Sequence, residues 1–149
     1  ILANRGYYYI PHIVKRIEGR DSIDRRFYEK QYTMIDPKHF EPIVDGMWRG
    51  VNVGGTSTAA RLEGLDVCGK TGTAENPRGR DHSTFLSFAP KDNPKIAISV
   101  YVENGGFGAS AALPIASLLE EYYLTDTIRR PALLEHIKNM NIYYPSYDR

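Results

Sequence analysis

Cysteine is almost missing from this chain of 149 residues. Cys68 is the single one, which excludes an internal disulfide and, with no second thiol nearby, a thiolate zinc site. An excess of either charge is lacking as well. Nineteen Lys and Arg stand against eighteen Asp and Glu, a net charge of +1, so no overall field draws the chain onto nucleic acid or an anionic membrane, and no nucleic-acid partner is expected. Long apolar runs are also absent. No stretch approaches the length that crosses a bilayer and nothing at the N-terminus reads as a signal sequence, so any membrane anchor is expected outside these residues. What is present is a 42% hydrophobic chain, long enough for one globular domain with a core.

Along the chain, Ile1-Leu2-Ala3-Asn4-Arg5-Gly6 reads as the last turn of a helix closed by a glycine. With no helix before it, the chain is expected to begin inside a larger domain. Tyr7 to Val14 is aromatic and branched but interrupted by Pro11, an extended or edge segment; Lys15 to Gln31 has little apolar periodicity and reads as a solvated excursion. Asp36 is placed to cap a helix begun at Pro37, with Pro42 able to shift the regular start toward itself. Phe40, Ile43, Val44, Met47 and Val51 recur on one face of that helix. Three strand-like segments follow at Leu65–Ala74, His82–Ala89 and Ile96–Glu103. In the third, Ile96, Ile98, Val100 and Val102 share one face while Ala97 and Ser99 share the other. The links between these segments, Asn76–Asp81 and Pro90–Pro94, are too short for a crossover helix, so an antiparallel meander is expected. A helix over Ala109–Tyr123 then packs on the sheet, Pro131 starts a last short helix, and a tyrosine-containing tail closes the chain. The fold class is α/β of the α+β type, a three-stranded antiparallel meander with packed helices.

The chemistry centres on GLDVCGKTGTAEN, Gly64 to Asn76. Its first half fits the phosphate-loop pattern GxxxxGK[ST], which works where a buried strand delivers a glycine turn to the start of a helix. Thr56 to Glu63 is no apolar strand, and Gly72, Asn76, Pro77 and Gly79 break any helix after Thr71, so both flanks disagree with that use. A second decoy, Gly106-Phe107-Gly108-Ala109-Ser110-Ala111, fits GxGxxA of dinucleotide sites. No parallel strand with a ribose-binding acid follows, and a glycine turn that lets a helix approach a sheet is the simpler reading. The second half, Lys70-Thr71-Gly72-Thr73, offers what acyl transfer on a carboxylate-bearing substrate needs: a cation, two hydroxyls, and backbone left bare by glycine beside an N–H that can meet an oxyanion.

Together with Ala3-Asn4-Arg5-Gly6, Pro11-His12, Gly46-Met47, Gly55-Thr56, Gly69 to Ala74, Phe88-Ala89-Pro90 and Val102-Glu103-Asn104-Gly105-Gly106-Phe107-Gly108, this tetrapeptide resembles the C-terminal part of the transpeptidase domain of class B penicillin-binding proteins. The Glu-Asn-Gly-Gly element favours the penicillin-binding protein 2 group. The resemblance covers about the first 124 positions; it implies that 1–149 is a C-terminal fragment of one such domain, with 125–149 an extension. It implies peptidoglycan D,D-transpeptidation through an acyl-serine, without a cofactor. Lys70 would set the electrostatics of proton transfer, Thr71, Gly72 and Thr73 would bind the substrate, the two hydroxyls holding its carboxylate, and the Thr73 N–H would complete an oxyanion hole. Implied partners are peptidoglycan stem peptides, β-lactams, and a glycan polymerase of the elongation machinery. The implied location is the inner membrane, with the domain facing the cell-wall compartment. Glu75 departs from the glutamine of many relatives and adds negative charge near the site. The family's S-x-x-K and S-x-N motifs are absent, as checking every serine from Ser22 to Ser146 establishes, so the nucleophile is expected outside this chain.

The rival readings are a penicillin-recognising sensor domain, which shares the K-T-G strand, and a nucleotide-binding module. Cys68 with His82 would make a thiol and base, against the plainer reading of a buried strand cysteine. His12, His39 and His136 lack metal-ligand spacing, Tyr7 to Tyr9 suit edge-strand packing, and Glu120-Glu121-Tyr122-Tyr123 would form an exposed partner surface. Exposed sheet edges would let the fragment pair with a second copy.

Overall fold

The computed structural model describes residues 1–19 and 23–142; the expectations for Ser22, Ser146, the tyrosine tail and part of the 15–31 excursion lie outside them. Two units divide the chain, Ile1–Ile43 and Val44–Arg149.

In the first unit the opening residues form turns, not regular helix, with the hydrogen bonding of a helix end. Gly6 N–H donates to Ile1 O and Arg5 N–H to Leu2 O, the paired bonds that close a helix. The left-handed residue at the first position past the end is Arg5, at φ 51°, with Gly6 following at φ 113°. Glycine at 6 is fixed by packing as well, since a β-carbon there would lie 2.9 Å from Cε2 of Phe40. Two short strands, β1 (Tyr7–Tyr8) and β2 (Gln31–Tyr32), pair antiparallel. The partner strand β2 was not foreseen, because two residues are too few to show an alternation. Tyr7 packs edge-on against Tyr9, and the Lys30 ammonium lies 4.2 Å from the Tyr7 ring centre, so the tyrosines serve this sheet. Asp36 caps as expected, its Oδ1 accepting the Lys38 N–H at 3.1 Å. The Lys38 side chain and backbone N–H hold its carboxyl below the usual range. The cap opens a single 3-10 turn, Pro37–His39, which runs into α1 (Phe40–Asn52). Pro42 falls in the first turn of α1, where an N–H would have no intrahelical partner. Of the expected apolar face, Phe40, Val44 and Val51 are buried, while Ile43 is 53% exposed because it lies at the margin of that stripe.

The second unit is a meander with helices on one face. β3 (Cys68–Ala74), β4 (His82–Ala89) and β5 (Ile96–Val102) run antiparallel in the order β3-β4-β5, with Lys70 opposite Leu86 and Phe85 opposite Val100. β3 begins three residues later than expected. Gly64, at φ 75°, turns the chain between the bridged Leu62 and Leu65, so the run from Gly64 to Val67 makes a turn instead of strand. Register places Ser83, Phe85, Ser87 and Ala89 on the same face as Ile96, Ile98, Val100 and Val102. α2 (Ala112–Thr125) covers that face, and Val51, Val67, Phe85, Ala112, Leu113 and Ala116 form its core. Each large side chain there contributes about 1.5–3 kcal/mol by leaving water. α2 starts at Ala112 instead of Ala109 because Gly108 to Ala111 are still turning: Ser110 N–H donates to Phe107 O, and regular helix begins where the Ser83 hydroxyl accepts the Ala112 N–H. α3 (Pro131–Lys138) starts at its proline as expected.

The acidic end of α2 is the main correction. Glu120 and Glu121 are buried, and only Tyr122 and Tyr123 of that quartet face solvent. Glu121 is paired: Arg130, at the start of α3, reaches back to it at 3.3 Å and donates to Ser117 O at 2.9 Å. Glu120 is not. Among the described residues no hydrogen bond reaches either of its oxygens, and the Ser87 hydroxyl faces it outside bonding geometry. Burial pushes its pKa up to about 7, against a smaller opposing pull from Ser87 and Arg130. Because the folded state holds this proton more tightly than the unfolded chain, the contribution is full below about 4.5 and lost as pH rises through about 7. Glu120→Gln is therefore expected to flatten the stability-versus-pH curve over that window and to raise stability near pH 8 by up to about 3 kcal/mol. Urea titrations of both proteins at several pH values check this.

Candidate active-site wall

β3 is an edge strand: among the described residues it pairs with β4 alone. Its entry is anchored from three sides. Asn52, at the end of α1, donates to Val67 O at 3.0 Å; the Trp48 indole donates to Asp66 Oδ1 at 2.8 Å; and Lys91 N–H donates to Asp66 O at 2.7 Å. Lys91 also reaches Asp45 at 3.1 Å, and Arg49 foremost, then Lys91, holds that carboxyl below its usual range. These contacts hold β3 in place where it leaves the Leu62–Leu65 turn.

Lys70, Thr71, Gly72 and Thr73 stand consecutively on this edge. Lys70 is exposed and its ammonium donates to Thr71 O at 2.6 Å. The Thr71 hydroxyl lies 3.3 Å from that of Thr56, a residue for which sequence reasoning found no role beyond its place in a motif. In an antiparallel strand the N–H and C=O of one residue point to the same side and residues two apart agree, so the main-chain groups of Thr71 and Thr73 share a direction. Gly72 has no room for a side chain, since a β-carbon there would run into the Thr84 hydroxyl. A cation, two hydroxyls and a glycine thus lie within one short segment, with a third hydroxyl, that of Thr56, beside it.

The far side of this segment is covered by the loop from β5 to α2. A β-carbon on Gly108 would sit 2.5 Å from Gly72 O, 2.6 Å from Thr84 O and 2.9 Å from Gly72 N, so main chain lies directly on main chain. The Ser83 hydroxyl fastens this contact, donating to Phe107 O at 2.8 Å while accepting the Ala112 N–H at 2.9 Å. Sequence reasoning missed Ser83; in a strand read only for alternation, a buried serine gives no signal until its partners are known. Glu75 is exposed and lies just past the strand.

Other candidates separate. Gly69-Lys70-Thr71 lies within a strand and leads into a second strand, so no helix start is present to hold phosphate. After Gly106 and Gly108 comes α2 and then α3, with no parallel strand among the described residues. Cys68 is buried and opposite Phe88, while His82 is opposite Ala74; six residues of strand, about 20 Å, separate thiol from imidazole.

Comparison with known proteins identifies the fold: residues 1–119 match the family model described as penicillin binding protein transpeptidase domain. The chain belongs to that family. Its relatives include the peptidoglycan D,D-transpeptidase MrdA of Haemophilus influenzae, 35% identical, with 86% of this chain and 23% of that protein covered. Among solved structures it is similar to Pseudomonas aeruginosa PBP2 in complex with WCK 5153, at 35% identity and a TM-score of 0.67 over 84% of this chain and 27% of the other. Penicillin-binding protein A of M. tuberculosis, solved as an imipenem acyl-enzyme, matches at 28% identity and a TM-score of 0.66 over 83% of this chain and 28% of that one. The chain thus spans about a quarter of the length of the relatives it matches.

Because the atoms around Gly108 are backbone and cannot rotate away, Gly108→Ala is expected to cost about 1–3 kcal/mol. A lower urea midpoint with an unchanged slope is the expected measurement.

Proposed function

We propose that this chain supplies the K-T-G wall of a peptidoglycan D,D-transpeptidase. The observation that carries the reading is the exposed edge strand on which Lys70, Thr71, Gly72 and Thr73 follow one another beside Thr56. The nucleophilic serine comes from another part of the protein, since neither S-x-x-K nor S-x-N occurs in these residues. That serine attacks the carbonyl of a D-Ala-D-Ala stem peptide and D-alanine departs with a proton. An amine on a neighbouring strand then takes the acyl group, and the serine regains its hydrogen. Lys70 lowers the cost of negative charge along that path, Thr71 and Thr73 bind the terminal carboxylate, with Thr56 orienting the Thr71 hydroxyl, and Gly72 lets the substrate lie against the strand. The Thr73 N–H stabilises the oxyanion. β-Lactams enter as mimics of the donor.

By the same reading residues 1–124 belong to the shared transpeptidase domain and 125–149 to an extension. The whole protein is anchored in the inner membrane with this domain facing the cell wall, works with a glycan polymerase in cell elongation and shape, and is an antibiotic target.

In the full-length protein Lys70→Ala should slow acylation by a fluorescent penicillin by roughly 10²–10³-fold, the effect of removing one electrostatic stabiliser. The 149-residue chain alone should remain unlabelled. Labelling of the isolated chain, or an unchanged rate in Lys70→Ala, would count against the assignment.

A further inference from the structure

His82 has no place in the chemistry of the K-T-G strand, yet it stands where the two loops beside that strand meet. Its Nδ1 accepts the backbone N–H of Asn104 at 3.0 Å. The Asn104 Oδ1 accepts from Asn76 Nδ2 at 2.9 Å, and the Asn76 N–H donates to Asp81 Oδ1 at 3.1 Å. Gly106 N–H closes the circuit by donating to Asp81 O at 2.8 Å. These four bonds join the β3–β4 loop, the first residue of β4 and the β5–α2 loop into one clasp. Asn104 is buried and lies at φ 55°, in the left-handed region that asparagine enters more readily than most non-glycine residues.

Four residues after Asn104 comes Gly108, lying on the main chain of Gly72. A shift of the loop is therefore a shift of Gly72 or a gap above it. An edge strand has a ladder on one side only and depends on what packs against it for its exact position. We propose that His82 is a positioning residue for acyl transfer: through Asn104 it fixes the β5–α2 loop on Gly72 and so keeps the Thr73 N–H and hydroxyl aimed at the substrate. This role rests on the function proposed above.

The role requires an unprotonated Nδ1, because a proton there would set two donors against each other. The titratable groups around the ring are Tyr101, whose ring centre is 5.4 Å away, Glu103 and Glu75 at the adjoining strand ends, and Asp81 and Arg80 just before it. Glu120 and Glu121 belong to α2, on the other face of the sheet. None of them forms an ion pair with His82 among the described residues.

The test compares wild type, His82→Asn and His82→Phe in the full-length protein. It measures the rate of acylation by a fluorescent penicillin from about pH 8 to about pH 5, with thermal unfolding as the check on folding. Asparagine puts a non-titrating acceptor where Nδ1 stands; phenylalanine keeps a ring against Tyr101 and removes the acceptor. At pH 8, His82→Asn should acylate close to the wild-type rate, and His82→Phe roughly 10- to 100-fold more slowly, the cost of misplacing a reacting group. Towards acid, wild type should lose more activity than His82→Asn. Equal rates for folded His82→Phe and wild type, or one pH profile shared by wild type and His82→Asn, would overturn the role. Should His82→Phe fail to fold, Asn76→Ala cuts the clasp at its other end and is expected to slow acylation likewise; an unchanged rate there overturns the role too. A wild type that no penicillin acylates sinks the transpeptidase reading together with this one, whereas normal wild-type acylation with an insensitive clasp sinks only the role of His82.

Discussion

Main chain lying directly on main chain, at Gly108 over Gly72 and Thr84, is the contact on which the candidate site depends. It lets the β5–α2 loop come as close to β3 as polypeptide can, and it leaves no side chain between the helix start and the strand. Everything near it serves to hold that distance. Ser83 sits under the loop, its one hydroxyl proton shared between Phe107 O and Gly108 O while its oxygen accepts the first helical N–H. Val51 and Phe85 crowd against Gly69 one turn of the pleat further down, so the glycines of β3 are sites where neighbours press on its backbone.

Two neighbouring carboxylates on α2 show how narrowly burial is compensated. Glu121 and Glu120 are both nearly or wholly inaccessible, yet Arg130 reaches one and gives no hydrogen bond to the other. A buried carboxylate without a partner stays neutral more cheaply than it ionises, which is the origin of its raised pKa. The helix therefore presents to the sheet a side chain that is apolar in effect at low pH and a charge at high pH. Arg130 pins the link between α2 and α3 through Glu121 and the Ser117 carbonyl, so the paired member of the couple has a structural use that the unpaired one lacks.

What was legible in the sequence is what repeats or is punctuated. The alternation of Ile96 to Val102 and the turn residues on both sides of His82 to Ala89 gave those strands and their antiparallel order, and Pro131 gave its helix. Lys70 to Thr73 stood out by their chemistry before any strand was drawn. Leu65 and Val67 misled, because alternation also occurs where a left-handed glycine has already turned the chain. Glu120 and Glu121 misled in the opposite way, since charge predicts exposure and only the position of Arg130 and the sheet decides otherwise. Thr56, Ser83 and the Asn76–Asn104–His82 clasp were illegible for one reason: each acts through partners 15 to 29 residues away, and no local pattern encodes such a distance.

An edge strand that receives a substrate backbone must keep open the same hydrogen-bonding groups that invite a second copy of the protein. Natural edges are often guarded by lysine, and β3 carries Lys70 among its seven residues. The ammonium folded onto Thr71 O occupies one acceptor of the strand while remaining on a flexible stem, so a ligand able to offer a better partner can displace it. On the function proposed above, one side chain then protects the edge when it is empty and supplies charge when it is filled. That double use explains why the cation stands on the strand itself, next to bare glycine, where a lysine on a neighbouring loop would leave the edge unguarded.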